Sequence, residues 1–202
     1  MAGSASVIAC DAAIEKGRRI TSHLLEVAAD DVEFSGGTFK VAGTDLAIPI
    51  LELAQRVREA RDLPEDLKSG LDTVGEFTSP QVSFPNGCHV CEVEIDPETG
   101  IVSVVNYVAV DDVGNIVHEK VVDGQTHGGI AQGLGQVLGE HVRYGDDGQL
   151  LNASLMDYAV PRAAVMPTIS TLHHSVPCTT NPLGVKGAGE SGVAGALPSA
   201  VN

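Results

Sequence analysis

The chain is poor in aromatic and in basic residues. It has no tryptophan and only 3% aromatics among 202 residues, so Val, Ile, Leu and Ala must fill its interior. Twelve Lys and Arg stand against 27 Asp and Glu, for a formal charge of −15. A field of that sign repels phosphate backbones, and no Lys/Arg stripe interrupts it, which excludes nucleic acid as a partner. No apolar run is long enough to span a membrane, and no basic segment precedes an apolar block at the start, so a cytoplasmic protein is expected. Cysteine is sparse, at positions 10, 88, 91 and 178. Cys88-His89-Val90-Cys91 has the spacing of half a zinc site, but no second such pair follows. Around it Cys91, Val93 and Ile95 alternate with Glu92, Glu94 and Asp96, as on a half-buried strand. Residues three apart on a strand face opposite ways, so these thiols are expected to be reduced and to share no metal.

What the chain does have is 43% hydrophobic residues and 23 glycines, enough for one substantial core or two small ones. Residues 6–29 read as a helix, with Val7, Cys10, Ile14, Thr21, Leu24, Leu25 and Ala28 near one face. Val32-Glu33-Phe34 and Phe39-Lys40-Val41 flank a Gly36-Gly37 turn, the pattern of a hairpin. Pro49 opens a second helix carrying Ile50, Leu53, Ala54 and Val57 at helical spacing. Residues 61–87 lack a period and suggest a connection that packs on another part of a larger structure. Strands at 89–95 and 101–110 flank the turn Asp96-Pro97-Glu98-Thr99-Gly100. A helix is predicted over 124–140, a turn at Asp146-Asp147-Gly148, a strand-like segment closing at Asp157–Pro161, and a strand over 167–176. Mixed helices and hairpins without βαβ alternation imply an α+β fold around a mixed sheet. The parts are 1–60 (helix–hairpin–helix), 61–87 (irregular connection) and 88–202 (core).

Two glycine-rich stretches carry the chemistry. In Gly124-Gln125-Thr126-His127-Gly128-Gly129-Ile130-Ala131-Gln132-Gly133-Leu134-Gly135, each helical glycine would cost about 1 kcal/mol against Ala. Such a cost is tolerable where a backbone or ligand must approach closely. Gln125 and Gln132 offer amides suited to a polar heterocycle or a phosphate, whereas His127 is read as a structural hydrogen-bonder. No Walker lysine and no G-x-G-x-x-G after a strand is present. The second stretch, Asn181-Pro182-Leu183-Gly184-Val185-Lys186-Gly187-Ala188-Gly189-Glu190-Ser191-Gly192, brings one carboxylate to the mouth of a helix that Ser191 begins.

Together with Asp96–Gly100, Val110-Asp111-Asp112 and Met156-Asp157-Tyr158, these stretches occur in an order that resembles one family. It is the molybdenum-binding large subunits of the xanthine dehydrogenase, aldehyde oxidase and aerobic carbon monoxide dehydrogenase group. The resemblance covers nearly the whole chain, is strongest from 84 to 202, and implies part of the second molybdopterin-binding domain. It implies Glu190 as the catalytic base beside molybdenum. It also implies Gln125, Gly128, Gly129, Gln132, Gly133, Lys186, Gly187 and Gly189 as the cofactor segment. Lys186 either pairs with an acidic group or supports the loop that aims Glu190. No side chain is expected to bind the metal directly. The cofactor would be molybdenum-molybdopterin, in bacterial members often the cytosine dinucleotide. FAD and 2Fe-2S centres would sit on partner subunits or domains, beside the rest of the large subunit. The substrate would be a small aldehyde, purine, N-heterocycle or CO. His118 stands where the family commonly has Asn. The competing reading is a non-catalytic α+β scaffold that has lost the cofactor.

Both ends read as cuts from a longer polypeptide, and the family's serine-containing cofactor loop is expected to lie before Gly3. The isolated chain should therefore bind no molybdenum cofactor stably and should lack hydroxylase activity. Stoichiometric molybdenum in the purified 202-residue chain would contradict this expectation.

Overall fold

A computed structural model describes residues 1–60 and 62–202. The chain divides into two compact units, Met1–Ser79 and Pro80–Asn202. The division falls inside the stretch without a hydrophobic period.

In the first unit, helix α1 (Ala2–Leu25) lies with a small antiparallel sheet of β1 (Val32–Ser35), β2 (Thr38–Val41) and β3 (Ala47–Pro49), followed by α2 (Ile50–Glu59). Gly36 and Gly37 both take positive φ, 56° and 77°, as the tight hairpin turn requires. Alternation turns Val32, Phe39, Val41 and Ile48 inward to meet Ile20, Leu53 and Val57. Helix α1 starts four residues earlier than its apolar pattern suggests and ends sooner, where Glu26 turns left-handed at φ 55°. Its buried face agrees only in part with the expected one: Thr21 is buried and Ile14, Leu24 and Leu25 pack on the core, whereas Cys10 is exposed, Val7 is half-buried, and Ser4, Gly17 and Ile20 are buried as well. Gly17 lets the Phe39 ring sit against the helix backbone; a Cβ there would stand 2.1 Å from Phe39 Cζ. The part of the irregular stretch after residue 61 packs back on this same unit. Leu63 and Leu67 enter its core, and Thr73 Oγ1 donates to Ala9 O at 2.9 Å.

The second unit is a three-stranded mixed sheet covered on one face by two helices. Strand β4 (Asn86–Ile95) pairs antiparallel with β5 (Val102–Asp112), which pairs parallel with β6 (Ile169–His173). The α+β fold and the mixed sheet are thus as expected, and the first unit adds a small antiparallel sheet of its own. A bulge at Glu92/Val93 leaves Val105 unpaired, so Val104 and Tyr107 reach the same covered face although three apart. Cys88 and Cys91 lie on β4 ahead of the bulge; Cys88 is exposed and Cys91 packs on the core. Burial pushes the Cys91 thiol above its ordinary pKa.

Helix α3 (Glu119–Leu138) begins one turn before its glycines, and α4 (Ser191–Val201) starts where expected. The core between helices and sheet holds Tyr107, Ala109, Ile130, Leu134 and Ala196. Residues 157–161 are not a strand. They form a turn and an extended segment that caps the end of α3, where Tyr158 donates to Glu140 Oε2 at 2.6 Å.

The α3–α4 crossing is made of small residues. A Cβ on Gly129 would stand 2.8 Å from Val193 N, and one on Gly133 would stand 2.5 Å from Ala196 Cβ. Gly192 is just as close to α3, with Thr126 O at 2.4 Å from its would-be Cβ. By contrast, nothing lies within 4 Å of a Cβ on Gly124. Gly129→Ala should therefore destabilise the second unit by about 1–3 kcal/mol through overpacking. Gly124→Ala, inside the same helix, should stabilise it by up to about 1 kcal/mol. All three tyrosines lie in this unit, so urea unfolding followed by tyrosine fluorescence measures both.

Candidate functional site

The site is assembled where the glycine-rich half of α3 meets the loop that leads into α4. Helical period divides α3 into two faces. Thr126, Gly129, Ile130, Gly133 and Leu134 are buried, while Gly124, Gln125, Gly128 and Gln132 are exposed on the other side. Gly124 and Gly128 leave open space where side chains would stand, as does Gly187 in the loop. Gln125 Nε2 lies 3.7 Å from the Cβ position of Gly189. Residues 64 apart in sequence are thus neighbours. Gln132 shares the face of Gln125 but lies two turns further, about 10 Å along the axis.

The loop is pinned to the end of β5. Asn181 grips Val185 from both sides, its Nδ2 donating to Val185 O at 2.9 Å and its Oδ1 accepting from Val185 N at 3.1 Å. Lys186 N donates to Val113 O at 2.8 Å, and Asn115 N donates to Gly184 O at 2.8 Å. Gly184 takes φ 65°, and a Cβ on it would stand 2.6 Å from Asn115 Nδ2. Only glycine meets both demands.

Lys186 pairs with Asp112. Its Nζ donates to Oδ2 at 2.5 Å, and both side chains are nearly buried, at 12% and 13% exposed. Asp112 Oδ1 also accepts from Gly114 N at 2.9 Å and Val176 N at 3.0 Å. The Lys186 ammonium first, then the Val176 N–H, hold the Asp112 carboxyl far below the ordinary carboxylate range. Of the two roles open to Lys186 in the sequence, the structure shows the ion pair, and that pair also ties down the loop.

Glu190 stands at the N-terminus of α4 with φ −130° and ψ 9°. Its backbone O accepts from Ala194 N at 3.2 Å, but its exposed carboxylate makes no capping bond, ion pair or other hydrogen bond among the described residues. A free carboxylate beside unfilled helix N–H groups and glycine faces open to approach can accept a proton from a bound species.

Several expected residues take other places. Gly129 and Gly133 face α4 at the helix crossing instead of the open side. His127 is a structural hydrogen-bonder, with Nδ1 2.8 Å from Asp123 O and Nε2 3.3 Å from Ile169 O. His118 precedes α3 and makes no side-chain cap. Sequence reasoning missed Asn181 and Asp112 as the groups that anchor the loop, and missed His89 altogether. The Cys88/Cys91 spacing drew attention to the residues on either side of it.

Open glycine faces, and Gln125 and Gln132 amides with no partner among the described residues, fit a polar heterocyclic cofactor. A family model described as "Molybdopterin cofactor-binding domain" matches residues 1–167, which leaves the Gly187–Glu190 loop outside the match. The chain is 30% identical to the carbon monoxide dehydrogenase large chain of Afipia carboxidovorans, over 98% of this chain and 24% of that protein. It is 32% identical to the 6-hydroxypseudooxynicotine dehydrogenase complex subunit gamma of Paenarthrobacter nicotinovorans, over 96% of this chain and 24% of that one. The solved Cu,Mo-CO dehydrogenase in its carbon monoxide reduced state superposes with a TM-score of 0.90 at 32% identity, over 100% of this chain and 25% of the other. The chain thus spans about a quarter of the length of these relatives. No helix among the described residues is long and apolar enough to cross a membrane.

The Lys186–Asp112 pair gives a pH-dependent prediction. Because the folded pKa of Asp112 is depressed, the stability it contributes is fully present above the unfolded value of about 4 and is lost as pH falls below it. Lys186→Met should cost the second unit about 1.5–3 kcal/mol at neutral pH. The difference from wild type should narrow as unfolding is measured at progressively lower pH.

Proposed function

Since the chain belongs to the molybdopterin cofactor-binding domain family, we propose that it holds the pterin–dithiolene side of a molybdenum cofactor and supplies Glu190 as general base. The observation that carries this reading is the meeting of two motifs at one place. Gln125 of α3 lies against Gly189, and the next residue is a carboxylate with no partner among the described residues. The cofactor, when bound, supplies the two-electron redox chemistry that an oxidative hydroxylation needs.

The remaining work falls to this chain. Gln125 and Gln132 hydrogen-bond polar edges of the cofactor, and Gly124, Gly128 and Gly187 let it approach the backbone. Gly189 belongs to the same wall. Gly129 and Gly133 act one step back, by letting α4 come close enough to α3 for the two motifs to meet. Lys186 acts through Asp112, by fixing the loop that aims Glu190. Glu190 accepts the proton released as oxygen is transferred to the substrate carbon. A carboxylate without a competing hydrogen bond suits that task, because no partner must be displaced before proton transfer.

We assign the cofactor to the cytosine dinucleotide form, on the family resemblance of the motifs. The names of the relatives, a large chain and a subunit of a complex, support a larger assembly, whose FAD-binding and iron–sulfur partners follow from the family resemblance alone. The proposed substrate is a small molecule oxidised at carbon, namely CO, an aldehyde, a purine or an N-heterocycle; of these the relatives' names support CO.

Glu190→Gln tests the assignment, because it keeps volume and hydrogen-bonding capacity while removing proton acceptance. In the assembled enzyme, turnover per molybdenum should fall by about 10² to 10⁴, with molybdenum content unchanged. Near wild-type turnover would make Glu190 a helix-start residue only and favour the scaffold reading.

A further inference from the structure

The helix-covered face of the second sheet carries buried polar groups that cofactor binding leaves without a role. The side chains of His89 on β4 and Asp111 on β5 are only 4% and 3% exposed. His89 Nε2 stands 3.1 Å from Asp111 Oδ1, and its Nδ1 stands 2.9 Å from the Tyr107 hydroxyl. An ionised carboxylate only accepts, which assigns the Nε2 hydrogen to His89. Tyr107 meets Ser199 Oγ of α4 at 2.9 Å, and Ser199 donates to Ala196 O at 3.2 Å. Thr126 of α3 reaches the other oxygen of Asp111 at 3.5 Å. Two glycines make room for the set. A Cβ on Gly87 would stand 2.2 Å from Asp111 Oδ1, and one on Gly195 would stand 2.4 Å from His89 Nδ1.

These contacts engage the middle and far end of α4, whereas Glu190 stands at its start. Gly195 is five residues beyond Glu190, about 7.5 Å along the axis, so a shift of the helix at Gly195 is carried to the carboxylate. The glycine and alanine crossing with α3 fixes how close α4 lies, but small apolar surfaces resist sliding along the axis only weakly. The directional hydrogen bond between the Tyr107 and Ser199 hydroxyls supplies that missing restraint.

We propose that His89 is a positioning residue for Glu190. Held between Asp111 and Tyr107, it sets through Ser199 and Gly195 where α4 lies on the sheet, and so where the Glu190 carboxylate stands. This rests on the reading of Glu190 as base. A misplacement of about 1 Å costs a reaction on the order of 10²-fold, so a partial loosening should cost less.

The test uses the assembled enzyme with kcat expressed per bound molybdenum. Tyr107→Phe and Ser199→Ala each cut one link of the same chain while preserving most of the volume. Each should lower kcat about tenfold with KM unchanged. Their double variant should be no worse than the more affected single, because both remove one interaction. His89→Gln, which keeps a donor toward Asp111 but loses Tyr107, should match them. Ser199→Thr keeps the hydroxyl, has room for its methyl in the cavity of about 580 Å³ beside it, and should retain turnover. Hydrogen exchange over residues 188–202 should quicken in every variant except Ser199→Thr. Faster exchange with unchanged kcat overturns the proposal, as does a fall in turnover that only follows molybdenum loss, or multiplicative effects in the double variant. Full turnover in Glu190→Gln overturns both this proposal and the base assignment. Lost turnover in Glu190→Gln with normal turnover in Tyr107→Phe overturns the positioning role alone.

Discussion

The candidate site depends on how closely two helices can approach. Where α3 crosses α4, the facing positions are Gly129 and Gly133 on one side and Gly192 and Ala196 on the other. A single added methyl at any of the three glycines would stand closer to the opposite helix than real side chains stand. That proximity lets the residue before α4 lie near the first turns of α3. Move α4 outward by the width of a methyl group, and Gln125 no longer meets Gly189. The glycines here act through what they allow to touch, and flexibility is not their role.

Electrostatics then select which charge in the site stays free. Lys186 is four residues from Glu190 and could have neutralised it. It is instead consumed by Asp112, whose second oxygen is occupied by two backbone N–H groups. An ion pair this shielded is costly to break once one partner is lost, so it fixes the loop as well as occupying the cation. In a chain of net charge −15, the unpaired carboxylate is left beside the N–H end of α4, where negative charge is tolerated best.

Local patterns were readable in the sequence wherever one element sufficed to produce them. The Gly36-Gly37 hairpin, the helix after Pro49, the Asp96–Gly100 turn and the start of α4 all appear where turn chemistry and spacing put them. Readings that needed a partner held only in part: the 89–95 and 101–110 strands pair as expected, while others depended on a contact the local pattern does not contain. The Phe39 ring packs against Gly17 of α1, and no period of α1 alone contains that ring. Asp157–Pro161 reads in the sequence as closing a strand-like segment, yet those residues pack at the end of α3. Within the site, Gln125 and the Gly187–Glu190 loop do come together, whereas Gly129 and Gly133 turned out to face a helix. Glycine spacing announces that something comes close, without saying whether it is a ligand or another backbone. His89 was hidden for a related reason. Its partners Tyr107 and Asp111 lie on the neighbouring strand, and only strand register brings them together.

Helix α3 itself shows why site and fold cannot be separated. It holds five glycines in 20 residues, a penalty of about 4–5 kcal/mol against alanine at those positions. A helix of that composition is not stable in isolation. It persists because Ile130 and Leu134 are buried in the core and because α4 covers Gly129 and Gly133. The residues that weaken α3 by propensity are the same ones that permit the crossing holding it in place. Docking of α4 and formation of α3 are therefore one event. The open glycine face and the free carboxylate arise together or not at all, so a perturbation that loosens α4 removes the cradle and the base at once.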